Sequence, residues 1–145
     1  MLDLFDLAEM AKPVEDFLRG VLVAQVNALL PLQTSSGAWR TLLDDPTSYE
    51  EISATAGIGY GLLKGHRLGL GGQAWQAAGL KAAQAVMRNI DETGTVLNVS
   101  YGTRMGHDLQ FYRDIPIQPT GYGQALSILC LSEALRHADA GEQAA

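Results

Sequence analysis

Aromatic side chains are concentrated in two long segments between predicted helices and in the helix starts next to them. Six of the ten aromatic residues lie there, namely Trp39, Tyr49, Tyr101, Phe111, Tyr112 and Tyr122. Polar residues are interleaved with them: Arg40, Ser53, Thr103, Arg104, His107, Asp108, Arg113 and Gln124. Aromatic faces stack on sugar rings while polar neighbours bind hydroxyls and carboxylates, so the pattern predicts a carbohydrate site in a concave mouth. The alternative is that these rings cover the ends of a helical core.

Acidic residues in the same segments are the candidates for acid/base chemistry. They are Asp44, Asp45, Glu51, Asp108 and Asp114. Glycoside hydrolysis commonly needs two positioned carboxylates, one of them protonated. The spacing does not indicate which of these groups converge. Glu51 also has a structural interpretation, since Ser48 and Glu51 have the spacing of a capping box at a helix start.

Metal and cofactor chemistry has little support in the sequence. His66, His107 and His137 show no paired ligand spacing, so we expect no metal site. The single cysteine, Cys130, lies in an apolar run and is predicted to be a buried, inert thiol. No glycine-rich loop has the strand-to-helix context of a phosphate cradle, and we expect no cofactor.

Charge and hydropathy limit the class of partner. Ten basic and 16 acidic residues give a net charge of −6, which argues against binding to nucleic acid or to an anionic membrane surface. No apolar run approaches the ~18–20 residues of a membrane span. The apolar start is acidic and lacks the positive region of a signal peptide, so we expect a cytoplasmic location. At 145 residues, 47% of them hydrophobic, the chain fits one helical domain covering residues 1–145, with residues 138–145 as a tail.

Apolar periodicity predicts four helices, over residues 13–30, 48–69, 74–90 and 121–137, with a fifth short one possible near the start. Gly57, Gly61 and Gly65 fall on one face of the second helix. We interpret this stripe as the contact face of an inner helix, approached closely by another backbone. Residues 69–72 form a glycine-rich reversal before the third helix.

The two long connections form a weak internal repeat. Each runs from a helix end through a polar turn with glycine into a short extended segment and another helix. The turn glycines, Gly37 and Gly94, are 94 − 37 = 57 residues apart. Such a repeat predicts helical hairpins whose long loops all leave at one end. We therefore expect function at that end.

Several segments resemble one group of enzymes. Residues 43–69 read LDDPTSYEEISATAGIGYGLLKGHRLG, and shorter matches occur at residues 29–33, 37–39, 99–103, 112–116 and 122–124. Together they are similar to the unsaturated glucuronyl and rhamnogalacturonyl hydrolases of glycoside hydrolase families 88 and 105, and more similar to family 105. The resemblance spans about residues 13–137, which match the C-terminal part of these enzymes.

The resemblance implies an all-α fold, a partial (α/α)6 toroid with four to five helices in outer and inner hairpins. It implies hydration of the 4,5-double bond of an unsaturated uronic acid by an aspartate acid/base, without a metal. That aspartate is expected upstream of the matched segment, so we assign no catalytic residue and expect the chain alone to be inactive. The expected substrate-binding residues are Trp39, Glu51, Ser53, Tyr101, Thr103, His107, Tyr112 and Tyr122.

Two alternatives to a hydrolase fit the same residues. The chain could be a non-catalytic sugar-binding module or an oligomeric helical module without a ligand. Four or five helices cannot close a twelve-helix ring, so inner helices should expose apolar faces. We therefore expect either a homo-oligomer or a complementing N-terminal chain, with a uronate-containing oligosaccharide as the ligand.

Overall fold

The computed structural model describes residues 1–7 and 9–142. Within these ranges the elements are α1 (Leu2–Leu7), α2 (Lys12–Leu29), a 3-10 turn (Leu30–Leu32), β1 (Trp39–Arg40), β2 (Glu50–Glu51), α3 (Ile52–Arg67), α4 (Gln73–Met87), α5 (Leu109–Arg113) and α6 (Gly121–Glu142). The four long helices are those expected from the periodicity, and the short helix near the start is α1. The two strands form one antiparallel pair that closes the first long loop.

The start of α3 differs from the predicted capping box. The Ser48 hydroxyl donates to Leu42 O and Asp45 O inside the preceding loop, so it is unavailable to a helix. Glu51 pairs with Trp39 in the strand ladder and is itself the N-cap, accepting a hydrogen bond from Ala54 N at 2.5 Å. The helix begins at Ile52 rather than at Ser48 because the strand pair keeps the intervening residues extended.

The ends of two other helices also differ from expectation. Helix α4 ends at Met87, three residues before the predicted end, because residues 88–90 form hydrogen-bonded turns. Helix α6 continues to Glu142, so the first five residues of the expected tail are helical. Residues 143–145 of that tail lie outside the described residues.

Helix α3 packs along both α4 and α6 and is the central helix of the bundle. Its close approach to α4 occurs at Gly59, where an added Cβ would lie 2.8 Å from Ala82 Cβ and 2.9 Å from Cys130 Sγ. On α4, an added Cβ at Gly79 would lie 2.6 Å from Leu63 Cγ. The predicted contact face of Gly57, Gly61 and Gly65 is therefore wrong. The atoms nearest to a Cβ added at those glycines belong to the side chains of Leu126, Leu2 and Trp75 rather than to another backbone.

The internal repeat is visible in the backbone of the two long connections. In the first, Thr34 N donates to Ala38 O at 2.9 Å and Gly37 N donates to Thr34 O at 3.0 Å. The second has the same two bonds 57 residues later, from Asp91 N to Thr95 O and from Gly94 N to Asp91 O, both 3.0 Å. Gly37 and Gly94 both have positive φ, which requires the conformational freedom of glycine.

Both long connections lie at the same end of the bundle, as the repeat predicts. Ile52 N donates to Asn98 O at 3.0 Å, which joins the start of α3 to the second connection. The glycine-rich reversal between α3 and α4 lies at the other end, where the ring of His137, near the end of α6, stacks on His66. No helix among the described residues is long and apolar enough to cross a bilayer.

A buried lysine anchors α1 to α3. Lys64 Nζ lies 2.5 Å from Asp3 Oδ1 and 3.1 Å from Asp6 Oδ2. Burial opposes the charged form of Lys64, but its bonds with Asp3, Asp6 and Tyr60 outweigh burial and raise its pKa. The ion pairs therefore hold the first helix on the bundle.

Candidate functional site

A cleft of about 450 Å³ lies where the two long connections meet the start of α3 and α6. We call it the central cleft. Its polar lining includes Arg40, Glu51, Ser53, Ser100, Thr103 and Tyr122, and Leu43, Ile58 and Leu126 are among its apolar residues. These residues come from four separate segments, which only the folded chain brings together.

Glu51 is the acidic residue in the lining of the central cleft, and it is buried, with 4% of the residue exposed. Its carboxylate accepts hydrogen bonds from Ser53 Oγ at 2.9 and 3.0 Å, from Ala54 N at 2.5 Å and from Ser100 N at 2.9 Å. All of these partners are donors, so the carboxylate acts as an acceptor that ties the start of α3 to the second connection. This geometry gives it a positioning role.

Tyr122 fixes the backbone of the second connection at the edge of the cleft. Its hydroxyl donates to Ser100 O and accepts from Gly102 N at 2.9 Å. The Ser100 side chain is in turn hydrogen-bonded to the Tyr49 hydroxyl at 2.8 Å. Because the Tyr122 hydroxyl is held in this way and 43% of the residue is exposed, part of its ring can contact a ligand.

An ion pair joins the first connection to α5. Arg113 Nη2 lies 2.6 Å from Asp45 Oδ2. The hydroxyl and backbone N–H of Thr47 donate to Asp45 at 2.7 and 2.8 Å and are the main reason that its pKa is lowered to about 2, with a smaller contribution from Arg113. Asp45 is thus an ionised structural group and a poor proton donor near neutral pH.

A second cleft, of about 420 Å³, lies on the rim beside the first. We call it the rim cleft, and its lining includes Tyr101, Gly102, Arg104, Phe111, Asp114 and Pro116. Gly102 also lines the central cleft, so the two clefts are neighbours.

The structure brings four of the eight expected site residues together. Glu51, Ser53, Thr103 and Tyr122 line the central cleft, and Tyr101 lines the rim cleft. The other three lie elsewhere.

Trp39, His107 and Tyr112 line neither cleft. Trp39 is 0% exposed, and its Nε1 donates to Leu29 O at 2.8 Å, so its ring packs in the core and offers no face to a ligand. The hydroxyl of Tyr112 accepts from Gly106 N at 3.1 Å, and its ring lies edge-on to Phe111. His107 is exposed.

Ser100 lines the central cleft although it was not among the predicted site residues. Its amide binds Glu51 and its hydroxyl binds Tyr49, so it joins the two connections. The sequence signal that could have identified it is the match at residues 99–103, of which only Tyr101 and Thr103 were selected.

Groups suited to metal or thiol chemistry are sparse in the described part of the chain. No cluster of three or more His, Cys, Asp or Glu side chains there could hold a metal ion. Cys130 is fully buried, and burial raises the pKa of its thiol to about 12. A thiol in this environment is unreactive near neutral pH.

The family model described as Glycosyl Hydrolase Family 88 matches residues 1–138. The chain belongs to this family. One relative, the unsaturated rhamnogalacturonyl hydrolase YesR of Bacillus subtilis (strain 168), is 34% identical to this chain over 131 residues. That alignment covers 90% of this chain and 36% of the relative.

Solved structures place this family 88 chain in the toroid fold. A possible member of family GH105 from Salmonella enterica has 47% identity and a TM-score of 0.87, and one from Klebsiella pneumoniae has 49% identity and a TM-score of 0.86. Each match covers 94% of this chain and 36% of the other. The all-α fold, a partial (α/α)6 toroid, and the resemblance to families 88 and 105 are therefore confirmed. The chain spans 36% of the length of these relatives.

Proposed function

We propose that this chain forms one wall of the sugar site in a glycoside hydrolase that acts on unsaturated rhamnogalacturonyl oligosaccharides. The observation that carries the proposal is the convergence of two matched segments on one cleft. Glu51 and Ser53 come from the first segment and Ser100 from the second, and they are joined by direct hydrogen bonds. The name of the Bacillus relative supports the substrate class.

The chemistry of this reaction needs a proton donor that the central cleft lacks among the described residues. Hydration adds a proton to C4 of the unsaturated uronate and a water hydroxyl to C5, and the resulting hemiketal opens to release the next sugar. Glu51 is surrounded by donors and Asp45 is held by Thr47 and Arg113. We infer that the acid/base aspartate lies on other polypeptide of the ring, and that this wall binds and orients the sugar.

Tyr122 and the hydroxyls around it are the proposed contacts of the bound uronate sugar. The exposed part of the Tyr122 ring supplies an apolar face, while Ser53, Thr103 and Arg40 line the same cleft with hydroxyl and guanidinium groups. An arginine suits a carboxylate because its planar fork of donors matches the two oxygens. This combination favours an acidic sugar over a neutral one.

Calorimetric titration of this chain with an unsaturated rhamnogalacturonan disaccharide tests the binding role. We expect saturable binding that Tyr122→Ala weakens by about tenfold, because the ring face is worth roughly 1 kcal/mol or more. The control Phe17→Ala removes an exposed aromatic ring from α2, which contributes no residue to either cleft, and should leave the affinity unchanged. An absence of binding, or equal losses in both variants, would contradict the proposal.

Catalysis is tested by mixing this chain with polypeptide that carries the rest of a family 88 ring. Turnover removes the double bond of the substrate and therefore its ultraviolet absorbance. We expect no turnover from either part alone and turnover from the mixture. Sugar binding without turnover in the mixture would instead support the second candidate, a non-catalytic sugar-binding module. This candidate is also favoured by the hydrogen bonds that hold the Glu51 and Asp45 carboxylates.

The proposed partner is that same ring polypeptide, which would cover apolar residues left open here. Large apolar residues are exposed along α2 (Val14, Phe17 and Val21) and along α6 (Ile128, Leu129 and Leu135). Contiguous exposed apolar surface of this kind marks an interface. The match covers only 36% of the Salmonella relative, so that protein has further chain, which favours the ring polypeptide over a second copy of this chain as the occupant.

A further inference from the structure

The rim cleft combines two kinds of group that recognise acidic sugars. Tyr101 is 60% exposed although it is a large aromatic residue, and Phe111 in the same lining is also exposed. Arg104 lines the same cleft, and no acidic side chain among the described residues lies within ion-pair distance of it. The cleft therefore offers exposed ring surface and a guanidinium group that is not neutralised by an ion pair.

Asp114 adds an acceptor to the rim cleft. Its carboxylate accepts from Gln110 Nε2 at 2.9 Å, is exposed and has capacity for a further donor. A carboxylate binds sugar hydroxyls well, but it repels a second anion. A ligand must therefore place its own carboxylate against Arg104 and its hydroxyls against Asp114.

The backbone at Gly102 connects the rim cleft to the central cleft. Gly102 has positive φ, and its amide is held by the Tyr122 hydroxyl. Tyr101, before it, lines the rim cleft, and Thr103, after it, lines the central cleft. One fixed turn therefore supplies walls to both clefts, which is the arrangement needed for a ligand that continues from one into the other.

We propose that the rim cleft is a second subsite that binds a further uronate of the same oligosaccharide, with its carboxylate paired to Arg104 and its ring against Tyr101. The inference rests on the proposed function, because the central cleft must hold the terminal unsaturated sugar. Rhamnogalacturonan alternates rhamnose and galacturonate, so a tetrasaccharide carries a second carboxylate that a disaccharide lacks. The longer ligand gains affinity through this subsite.

Calorimetry with the unsaturated disaccharide and tetrasaccharide tests the subsite. We expect the tetrasaccharide to bind this chain at least about threefold more tightly, the gain of an exposed ion pair together with an aromatic contact. Arg104→Gln and Tyr101→Ala should each reduce that gain without changing the affinity for the disaccharide. Arg104→Lys should retain part of it, because the charge remains.

Two controls test whether the gain depends on the pairing of the ligand carboxylate with Arg104. Arg136→Gln removes an exposed arginine from α6 near the histidine pair at the opposite end of the bundle, and should leave the tetrasaccharide gain intact. A tetrasaccharide whose galacturonate is reduced to galactose should lose most of the gain with the unmodified chain and be insensitive to Arg104→Gln.

The outcomes distinguish this inference from the proposed function. Equal affinities for the two ligands, or a gain that persists in Arg104→Gln, would overturn the second subsite while the central sugar site stands. Failure of both ligands to bind would overturn the two together.

Discussion

The carboxylate of a single residue, Glu51, joins the two long connections. Glu51 accepts donors from its own helix start and from Ser100, which is 49 residues away in the sequence. A buried acceptor of this kind contributes most to stability when all of its partners are present. A buried donor without a partner has lost its hydrogen bonds to water and gains none in the protein. The central cleft therefore depends on this residue for its shape.

Replacing Glu51 with Gln should lower the free energy of unfolding by roughly 1–3 kcal/mol. The NH2 group of the glutamine amide is a donor, and it would lie against the donors that now bind the Glu51 carboxylate. Urea denaturation followed by circular dichroism measures the change. Glu92→Gln, at an exposed turn residue, is the matched control and should have little effect. Equal denaturation midpoints for the two variants would show that the Glu51 contacts are unimportant for stability.

Asp45 should titrate near pH 2 in the folded protein, well below its ordinary value of about 3.9. Because the folded-state pKa is lowered, the ionised group stabilises the fold above about pH 4, and this contribution is lost as the pH falls toward 2. Carbon NMR of the Asp45 carboxyl measures the midpoint.

Thr47→Ala should raise that midpoint toward the ordinary value, since the Thr47 hydroxyl is the largest cause of the shift. Thr93→Ala alters the equivalent hydroxyl contact at Asp91 and is the control, so the Asp45 midpoint should stay in place. A midpoint near 3.9 in the unmodified protein would contradict the described contacts.

At the scale of elements, the crossing of α3 and α4 depends on glycines that face each other. Gly59 and Gly79 let the two helices approach until an added Cβ on either would overlap a neighbouring side chain. Gly57 is on another face of α3, where an added Cβ would lie 3.8 Å from Leu126, at an ordinary contact distance. Gly59 is therefore required for the close contact of α3 with α4, whereas Gly57 has room for a Cβ.

Gly59→Ala should destabilise the protein by about 1–3 kcal/mol through overpacking, which outweighs the roughly 1 kcal/mol that alanine contributes to helix propensity. Gly57→Ala should instead stabilise it by about 0.5–1 kcal/mol. Thermal denaturation of the two variants compares the same chemical change on two faces of one helix. A loss of stability in Gly57→Ala as large as that in Gly59→Ala would refute this account.

The whole molecule leaves part of its apolar surface uncovered. Phe17 on α2 is 68% exposed and Ile128 on α6 is 57% exposed, in a fold whose solved relatives continue beyond the matched region. Exposed apolar surface of this kind is typical of an interface, and we propose that it is covered by the rest of the ring or, when the chain is alone, by a second copy.

In the absence of a partner, the isolated chain should therefore exceed the monomer mass at micromolar concentration, as measured by light scattering. The double variant Phe17→Gln and Ile128→Gln should shift it toward the monomer because it removes apolar area from both helices. Lys81→Gln, an exposed polar change on α4, should not. A well-folded monomer before any substitution would show that the uncovered surface does not drive association.

Local sequence patterns were sufficient for the helices and for the repeated turn. Apolar spacing and the positive-φ glycines act over a few residues, so Gly37 and Gly94 and the four long helices could be predicted without long-range information. The matched segments, of which residues 43–69 are the longest, were together sufficient to predict the family and hence the ring architecture. These features depend on neighbours along the chain or on a contiguous motif.

Tertiary contacts decided which residues form the clefts. Trp39 and Gly57 were each predicted to have a role that the tertiary structure did not give them. The Trp39 ring donates to Leu29 O and lies in the core, and Gly59 rather than Gly57 faces α4. The Ser48 hydroxyl binds within its own loop, which the strand pair closes, rather than capping α3. Local spacing cannot encode burial or partner choice, because both depend on how segments that are far apart in the chain pack against one another.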